Sequence, residues 1–296
     1  MSYFIQQLVT GLAVGGTYAL VALGFVLIFG VLNMLNIAHA QTLMLAPMFL
    51  VLALNAGLPL ALAFIVCLAG TLVFSYLNYL VSIRPFAGSK PRGNYLAPFI
   101  ASFGVSMFVE NVMGGALGSE MRPFPLTFGS TMWSLGSINL VPMQVISLAV
   151  VATVLAGLGW VVTRTALGRQ MRAVAESHMV AEILGIPARR TTLIAIAIAS
   201  LLGSVSGLLL AAGVGGVSPF TGLEYGLKGL VVMIIGGVSS LAGAVVVGLF
   251  VGVTEAFVTS FLSSEYRDVI TYGVLFLVLL FRPQGLFAAS SKEVRP

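Results

Sequence analysis

Charged side chains are scarce in this chain, and no Asp, Glu, Lys or Arg precedes Arg84. Only 8% of the 296 residues are charged, against about 25% in an ordinary soluble domain. A soluble protein cannot leave so long a stretch uncharged, and the mean hydropathy of +1.09 agrees. The apolar runs are continuous and do not alternate with polar residues, as β-barrel strands would. The sequence therefore predicts an all-α integral membrane protein.

Residues that usually carry catalysis or bind metals are also few. The two histidines are His39 and His178, and the single cysteine is Cys67. One cysteine excludes an intrachain disulfide, and a zinc site or the nucleophile–base pair of an intramembrane enzyme is disfavoured. No GxxxxGK[ST] phosphate-binding loop occurs. We therefore expect a non-enzymatic chain that binds no cofactor or metal. The net charge of +5 fits positively charged inner loops better than nucleic-acid binding.

Eight apolar segments predict the helices, and we expect about eight transmembrane or re-entrant helices in a single domain, residues 1–296. The second and eighth segments are short, because thirteen helical residues rise only about 20 Å. The seventh is too long for one span and is broken by the glycine-rich stretch Gly236–Gly243. The first run is expected to be a retained span, since residues 1–10 lack the basic region of a signal peptide. The segments are 8–31, 42–54, 59–83, 95–117, 143–162, 192–214, 227–262 and 269–281.

Basic residues gather in three segments, which the positive-inside rule places in the cytoplasm. The segments are residues 84–94, the stretch 164–190 and the tail after Phe281. The loop 118–142, with Trp133, is expected on the outer side. The uncharged flanks of the first helix leave the side of the N-terminus open.

Of the GxxxG pairs in the chain, three lie wholly within the predicted apolar segments and permit close approach of helices. In a chain with 34 glycines such pairs also arise by chance, and packing within the chain is the favoured interpretation. The pairs are Gly11/Gly15, Gly203/Gly207 and Gly248/Gly252.

A polar interruption follows the first helix and contains Asn33, Asn36, His39 and Gln41. It can dip into the membrane as an irregular stretch whose polar groups meet substrate. It can equally be an interfacial turn whose amides cap helix ends. His39 is more typical of a hydrogen-bonded structural residue than of a proton shuttle, because no carboxylate is close in sequence.

Two carboxylates, Glu110 and Glu255, lie within or near the ends of apolar runs. Carboxylates at such positions are functional by default, because burying a lone charge is costly. The favoured interpretation is that each lies at a helix end and hydrogen-bonds to a neighbouring helix. A role in the substrate path or in a proton relay is the alternative.

The segment Gly168–Gly185 has a helical pattern and two different faces. One face contains Leu167, Met171, Val174, His178 and Ala181, and the opposite face contains Arg169, Arg172 and Glu176. Arg172 and Glu176 have the i,i+4 spacing of a stabilising ion pair, and Gly185 and Pro187 end the pattern. A short amphipathic helix or helix pair is expected. Its polar face can meet lipid, solvent or a groove on another protein, and composition alone favours lipid or solvent.

Several motifs resemble those of ABC-transporter permeases of the branched-chain amino acid (LivH/LivM) type. The cytoplasmic segment reads "ALGRQMRAVAESHMVAEILGIPARR", the first span and polar interruption read "GGTYALVALGFVLIFGVLNMLNIAHAQ", and the first basic loop contains "IRPFAGSK". The glycine-rich region contains "GLKGLVVMIIGGVSSLAGAVVVGLFVGVTEAF", and the end contains "SSEYRDVITYGVLFLVLLFRPQGLF". The resemblance covers nearly the whole chain. The short N-terminus and "EYRDV" are closer to the LivH type than to the LivM type.

The resemblance implies an ABC importer permease fold in the bacterial inner membrane and a set of partners. These are a homologous LivM-like permease, two cytoplasmic ATPase subunits that hold ATP and Mg, an extracytoplasmic binding protein, and membrane lipid. Residues 164–190 would form the coupling segment. The implied ATPase-docking residues are Gly168, Arg169, Arg172, Ala173, Glu176, Ala181, Leu184, Gly185 and Ile186. The candidate substrate path contains Asn33, Asn36, His39, Gln41, Glu110 and Glu255.

Two departures from the family pattern affect the expected substrate and the coupling segment. His-Gly-acid becomes His39-Ala40-Gln41, so urea, amides or aromatic carboxylates are alternatives to branched-chain amino acids. Gly-Ile-Asn becomes Gly185-Ile186-Pro187, which should stiffen the end of the coupling segment. An ion-coupled secondary transporter is the alternative of another class.

Overall fold

The computed structural model describes residues 2–86, 96–126, 133–135 and 138–287. This part of the chain is almost wholly helical, which confirms the all-α prediction, and seven of its helices are long and apolar enough to cross a membrane. Two short antiparallel ribbons join β1 (Arg122–Pro123) to β4 (Gly216–Val217) and β2 (Trp133–Leu135) to β3 (Ile138–Leu140). The helices are α1 Ser2–Leu32, α2 Gln41–Asn55, α3 Leu60–Asn78, α4 Leu96–Leu117, α5 Pro142–Arg164, α6 Ala166–Glu176, α7 His178–Ile183, α8 Ala188–Val214, α9 Thr221–Gly236, α10 Leu241–Phe261 and α11 Tyr266–Phe281.

Helix α1 is the centre of the bundle and packs against α5, α8, α9 and α10. Its closest neighbour is α10, and glycines on both helices form the contact. A Cβ atom added at Gly252 would lie 2.2 Å from the Cα of Gly15, and one added at Gly15 would lie 2.7 Å from the carbonyl oxygen of Gly248. Such separations are possible only without side chains. The predicted packing within the chain is therefore confirmed for this pair of motifs.

The third GxxxG motif, on α8, receives α2 in the same way. A Cβ atom at Gly203 would lie 2.0 Å from Oγ1 of Thr42, and one at Gly207 would lie 2.2 Å from the carbonyl oxygen of Leu43. Helix α2 is consequently buried along most of its length. Although α2 is short, a 3-10 turn at Ile37–Ala40 leads directly into it.

We expect Gly252→Ala to destabilise the protein by about 1–3 kcal/mol, because the added methyl group forces α1 and α10 apart. Thermal unfolding of the purified protein in detergent measures the change. Gly159→Ala on α5 is the matched control, since Gly159 is also helical but has no atom within 4 Å of an added Cβ. The control should be neutral or slightly stabilising. Equal behaviour of the two variants would contradict the packing argument.

The described parts of the three basic segments lie at one end of the bundle, the basic end. Helix α1 ends there, and its Val31 packs with Met171 and Val174 of α6. Asn36, just beyond α1, accepts a hydrogen bond from Asn78 at the end of α3, near Arg84. Lys90, Arg92, Lys292 and Arg295 lie outside the described residues.

The N-terminus lies at the opposite end, the outer end. Thr10 accepts a hydrogen bond of 2.9 Å from Gln144, in the first turn of α5. The ring of Tyr3 meets Phe261 at the end of α10, with 5.8 Å between the centroids. The N-terminus therefore lies at the end of the bundle away from the basic segments, which the positive-inside rule places in the cytoplasm.

The glycine-broken run is two helices that enter and leave by the outer end. Helix α9 begins at Thr221, six residues before the predicted start at 227, and ends at Gly236. A turn at the basic end then leads into α10, with Gly237 in a left-handed conformation (φ 101°). The chain after α11 closes over this turn, because Phe287 N donates to the carbonyl oxygen of Gly236 at 3.2 Å.

Candidate functional site

Charged side chains meet inside the outer half of the bundle, in a group that we call the charge cluster. Its members come from α1, α9, α10 and α11, and helices α9 and α11 both begin beside it. The charge cluster consists of Tyr18, Glu224, Tyr225, Lys228, Glu255, Arg267, Asp268 and Thr271.

Lys228 and Glu255 form the buried core of the charge cluster and are only 1% and 3% exposed. The Nζ atom of Lys228 lies 3.0 Å from Oε1 of Glu255 and 2.7 Å from Oδ1 of Asp268. Glu255 also accepts hydrogen bonds from the hydroxyls of Tyr18, at 2.7 Å, and Thr271, at 2.9 Å. Because a buried charge is costly unless it is paired and hydrogen-bonded, these contacts hold four helices in one arrangement.

The outer rim of the charge cluster is partly open. Glu224 and Asp268 lie in the first turns of α9 and α11, and both side chains are half exposed. The guanidinium of Arg267 lies between them, 3.7 Å from Glu224 and 3.5 Å from Asp268. Its Cζ atom lies 6.0 Å from the centre of the Tyr225 ring. The rim therefore offers both signs of charge beside an aromatic ring.

The structure places the two predicted carboxylates in different surroundings. Glu255 does bond to neighbouring helices, but it lies six residues before the last residue of α10 and not at a helix end. Glu110 is half-buried on α4, and within the described residues it forms no hydrogen bond, so the expected bond to a neighbouring helix is not found there. The sequence analysis did not single out Lys228, although a lone lysine inside an apolar run indicates a buried partner of opposite charge.

Most of the polar interruption is buried inside the protein, where a 3-10 turn at Ile37–Ala40 leads into α2. Asn36, His39 and Gln41 are all buried, so their side chains contact neighbouring helices. Contact of these groups with substrate stays a prediction. Gln41 donates to Ser106 Oγ of α4 at 2.8 Å, and Asn36 accepts from Asn78 at 3.0 Å. Asn33 alone is exposed, in a left-handed turn (φ 52°) at the basic end.

His39 lies in a tightly packed position. A Cβ atom at Gly24 would lie 2.2 Å from its Nε2 atom, and the edge of the Phe25 ring lies against it, with 4.9 Å between the ring centroids. These neighbours leave no space for a ligand at Nε2. The tight packing is that of a structural residue, but Nε2 has no hydrogen-bond partner among the described residues, unlike the hydrogen-bonded residue that the sequence predicted.

Helices α6 and α7 form the amphipathic pair at the basic end. Ser177 is extended between them (φ −161°, ψ 118°), and its Oγ accepts from Val180 N at 3.3 Å. Met171, Val174 and Ala181 are buried, as predicted. His178 is exposed, contrary to prediction, because the break at Ser177 starts a new helix and changes the phase of the pattern.

The prediction of an Arg172–Glu176 ion pair is also wrong. In the described part of the chain Arg172 forms no ion pair, and its guanidinium donates instead to the carbonyl oxygen of Val162 on α5. The i,i+4 spacing brought the two side chains to one face, but the end of α5 offers Arg172 a fixed acceptor.

The exposed surface of the pair is partly apolar. Ile183 is 76% exposed, and Met179, Val180 and Leu184 are exposed beside it. Among the predicted docking residues, Gly168 and Ala181 are buried, whereas Ala173 and Ile186 are half-buried. The exposed ones are Arg169, Arg172, Glu176, Leu184 and Gly185.

The chain is similar to known proteins along nearly its whole length. Residues 7–279 match the family model described as branched-chain amino acid transport system, permease component. The chain belongs to this family. It is 33% identical to the high-affinity branched-chain amino acid transport system permease protein BraD of Pseudomonas aeruginosa, over 98% of each chain. It is 30% identical to the corresponding LivH of Escherichia coli, over 98% of this chain and 97% of LivH.

Other relatives match less completely. Identity to the permease protein LivM of Escherichia coli is 28%, over 69% of this chain and 53% of LivM. The predicted likeness to the LivH type is thus confirmed. A chain of the solved structure of PsaBC from Streptococcus pneumoniae in complex with Fab shares the fold, with a TM-score of 0.50, 16% identity, and coverage of 95% of this chain and 92% of that one. The family and its helices make the protein a multi-pass membrane permease.

Proposed function

We propose that this protein is a permease subunit of an ATP-driven ABC importer for branched-chain or related small amino acids in the bacterial inner membrane. The observation that carries the proposal is the exposed apolar surface of α7 at the basic end, in a chain that matches permease components along its whole length. Exposed Met179, Ile183 and Leu184 are unfavourable in water, and a contiguous apolar patch commonly marks a protein interface.

The proposed partners divide the work of transport among several chains. Two cytoplasmic ATPase subunits would hold ATP and Mg and receive the α6–α7 pair, so this chain needs no phosphate-binding loop and is not an enzyme. An extracytoplasmic binding protein would deliver substrate at the outer end. A LivM-like permease and lipid would cover the exposed apolar side chains of the long helices, such as Phe108, Trp160 and Phe276.

Coupling would pass from the helix pair into the bundle. Met171 and Val174 of α6 pack on Val31 at the end of α1, and Ala181 of α7 belongs to the same apolar cluster as Ala188 at the start of α8. A displacement of the pair by the ATPases would therefore move α1 and α8. Because close-packed contacts transmit strain, such a movement could alternate the exposure of a substrate path in a single domain that spans residues 1–296.

The proposed path includes the polar side chains singled out by the sequence, with different roles. Glu255 belongs to the charge cluster, whereas Asn36 and Gln41 fix α3 and α4 against the interruption. His39 would position these groups by packing. Asn33 would lie at the inner exit, and Glu110 would lie on the face of α4.

Reconstitution tests the proposal. We expect proteoliposomes that contain this chain, its partner permease, the ATPases and the binding protein to accumulate leucine only with Mg-ATP on the ATPase side. A proton ionophore should leave the uptake unchanged, which separates an ABC importer from an ion-coupled carrier. Proteoliposomes with the permeases alone are the matched control. ATP-independent uptake by the permeases alone would overturn the proposal, and a panel with urea, amides and aromatic carboxylates would correct the substrate.

A further inference from the structure

The rim of the charge cluster combines a cation, two carboxylates and an aromatic ring on one surface. We propose that Glu224, Arg267 and Asp268, beside Tyr225, bind the zwitterionic headgroup of the transported amino acid at the outer end. This inference rests on the proposed function, because it specifies the substrate chemistry of the same transporter.

Arg267 has hydrogen-bond donors available for a carboxylate. Its side chain is 30% exposed, and its nearest carboxylate oxygens lie at 3.5–3.9 Å. A charge-assisted hydrogen bond is about 2.7–2.9 Å long, and within the described residues the guanidinium makes none. A guanidinium presents five N–H donors in a planar fork that matches a carboxylate. The α-carboxylate of an amino acid can therefore bind Arg267 without displacing an existing hydrogen bond.

Glu224 and Asp268 supply acceptors for an ammonium group. Glu224 is 51% exposed, and its only ion pair among the described residues is the loose contact with Arg267. Asp268 uses Oδ1 for Lys228 and keeps its other oxygen. The face of Tyr225 already lies near two cations, Lys228 and Arg267. The rim therefore has carboxylates for the ammonium group and a guanidinium for the carboxylate of a zwitterion.

Aromatic side chains lie one helical turn from both acceptors. Phe220 is exposed, and its carbonyl oxygen accepts from Glu224 N, which places it one turn before Glu224. Tyr272 is exposed on α11, four residues after Asp268. Residues four apart lie on the same helix face. An apolar side chain on the bound amino acid would thus meet aromatic carbon while its headgroup contacts the charges.

The location of the rim connects binding with the bundle. Asp268 shares Lys228 with Glu255, and Glu255 bonds to Tyr18 of α1. An ammonium group on the other oxygen of Asp268 would share that carboxylate with Lys228. Occupancy of the rim would thereby weaken the attraction between Asp268 and Lys228 and alter the contacts among α1, α9, α10 and α11.

Direct binding of L-leucine to the intact transporter tests the inference. The complex of both permeases and both ATPases is purified in detergent without the binding protein, and leucine is detected by saturation-transfer NMR. We expect Arg267→Gln and Glu224→Gln each to weaken leucine binding by about tenfold, the effect of losing one charge-assisted hydrogen bond. Glu265→Gln is the matched control, because Glu265 is exposed at the same end and belongs to no ion pair among the described residues. It should bind like the unmodified complex.

Ligand analogues identify which group each residue holds. 4-Methylpentanoate lacks the ammonium group of leucine, and its weaker binding should depend on Arg267 and not on Glu224. 3-Methylbutylamine lacks the carboxylate, and its binding should depend on Glu224 and not on Arg267. Equal binding by the variants and the unmodified complex, or no leucine signal from a complex that transports leucine, would overturn the inference.

The same preparations separate this inference from the proposed function. A complex that fails to transport any amino acid with ATP but binds leucine through Arg267 would refute the proposed function and support the zwitterion site. If Arg267→Gln changes only the binding-protein concentration that half-saturates transport, the rim contacts the binding protein and the inference is wrong. The melting temperatures of the variants serve as a folding control, since both substituted side chains are partly exposed.

Discussion

Replacement of Lys228 by methionine is expected to lower the free energy of unfolding by about 3–5 kcal/mol, the usual effect of removing one partner of a buried ion pair. The variant leaves Glu255 buried without its closest cation. The hydroxyls of Tyr18 and Thr271 and the more distant guanidinium of Arg267, 3.9 Å away, remain to solvate it. The loss should appear as a lower melting temperature and a lower yield of folded protein. Unfolding in detergent, followed by Trp fluorescence, measures it.

Two further variants make this prediction specific. The double variant Lys228→Met/Glu255→Gln removes both charges, and it should recover much of the lost stability because no unpaired charge remains in the interior. Arg190→Met at the basic end is the matched control for the loss of one cation, since Arg190 is exposed. If Lys228→Met were no more destabilising than Arg190→Met, the buried pair would not hold the four helices together.

The helices of this protein were predictable because, in an apolar medium, the backbone N–H and C=O groups of a spanning segment must be hydrogen-bonded within it. Runs of apolar residues therefore predicted α3, α5 and α8 nearly to their ends, whereas α1 begins six residues before its predicted start at residue 8. The glycine-rich break predicted the turn between α9 and α10. The start of α9 at Thr221 was not predicted, because its first turn carries Glu224 and reads as polar.

The charge cluster could not be assembled from the sequence. Tyr18 and Glu255 are 237 residues apart, and Lys228 and Glu255 are 27 apart. Their contact depends on the glycine-mediated approach of α1 and α10, which sets the depth at which each side chain lies. A single sequence shows which charged residues lie within apolar runs, where burial is costly, but it does not show which residues they contact. The isolated Lys228 within an apolar run nevertheless indicated a possible partner of opposite charge for Glu255.

The helix pair illustrates a different limit. A periodic pattern fixed the buried face of α6 correctly, with Met171 and Val174 on it. Beyond Ser177 the same pattern placed Ala181 correctly but not His178, because the extended residue starts a new helix. The exposed apolar side chains of α7 became visible only once that break was known.

A charge placed on this exposed surface should uncouple the transporter. We expect Ile183→Asp to reduce co-purification of the ATPases, and ATP-driven uptake, by at least about thirtyfold, because a central apolar contact of an interface contributes about 2 kcal/mol or more. The buried aspartate would also lack a partner in the complex. Pull-down of tagged ATPase and uptake in proteoliposomes measure the two effects.

The permease itself should be unaffected by this change. Ile183 is 76% exposed, so the melting temperature of the isolated chain should stay the same. Ile183→Leu keeps the apolar contact and should retain docking, which makes it the conservative control. His178→Asp places the same charge on the first residue of α7, five residues away, and should have a smaller effect if docking depends on the apolar patch.

The result also decides among the three partners that the sequence allowed for this segment. If the patch contacts lipid, Ile183→Asp should leave ATPase capture intact and weaken the association of the segment with anionic bilayers. If the patch faces only solvent, neither measurement should change. Loss of ATPase capture with an unchanged melting temperature is expected only for a protein groove. That outcome would assign the exposed apolar side chains of α7, more than the charges of α6, to the transfer of force from the ATPases.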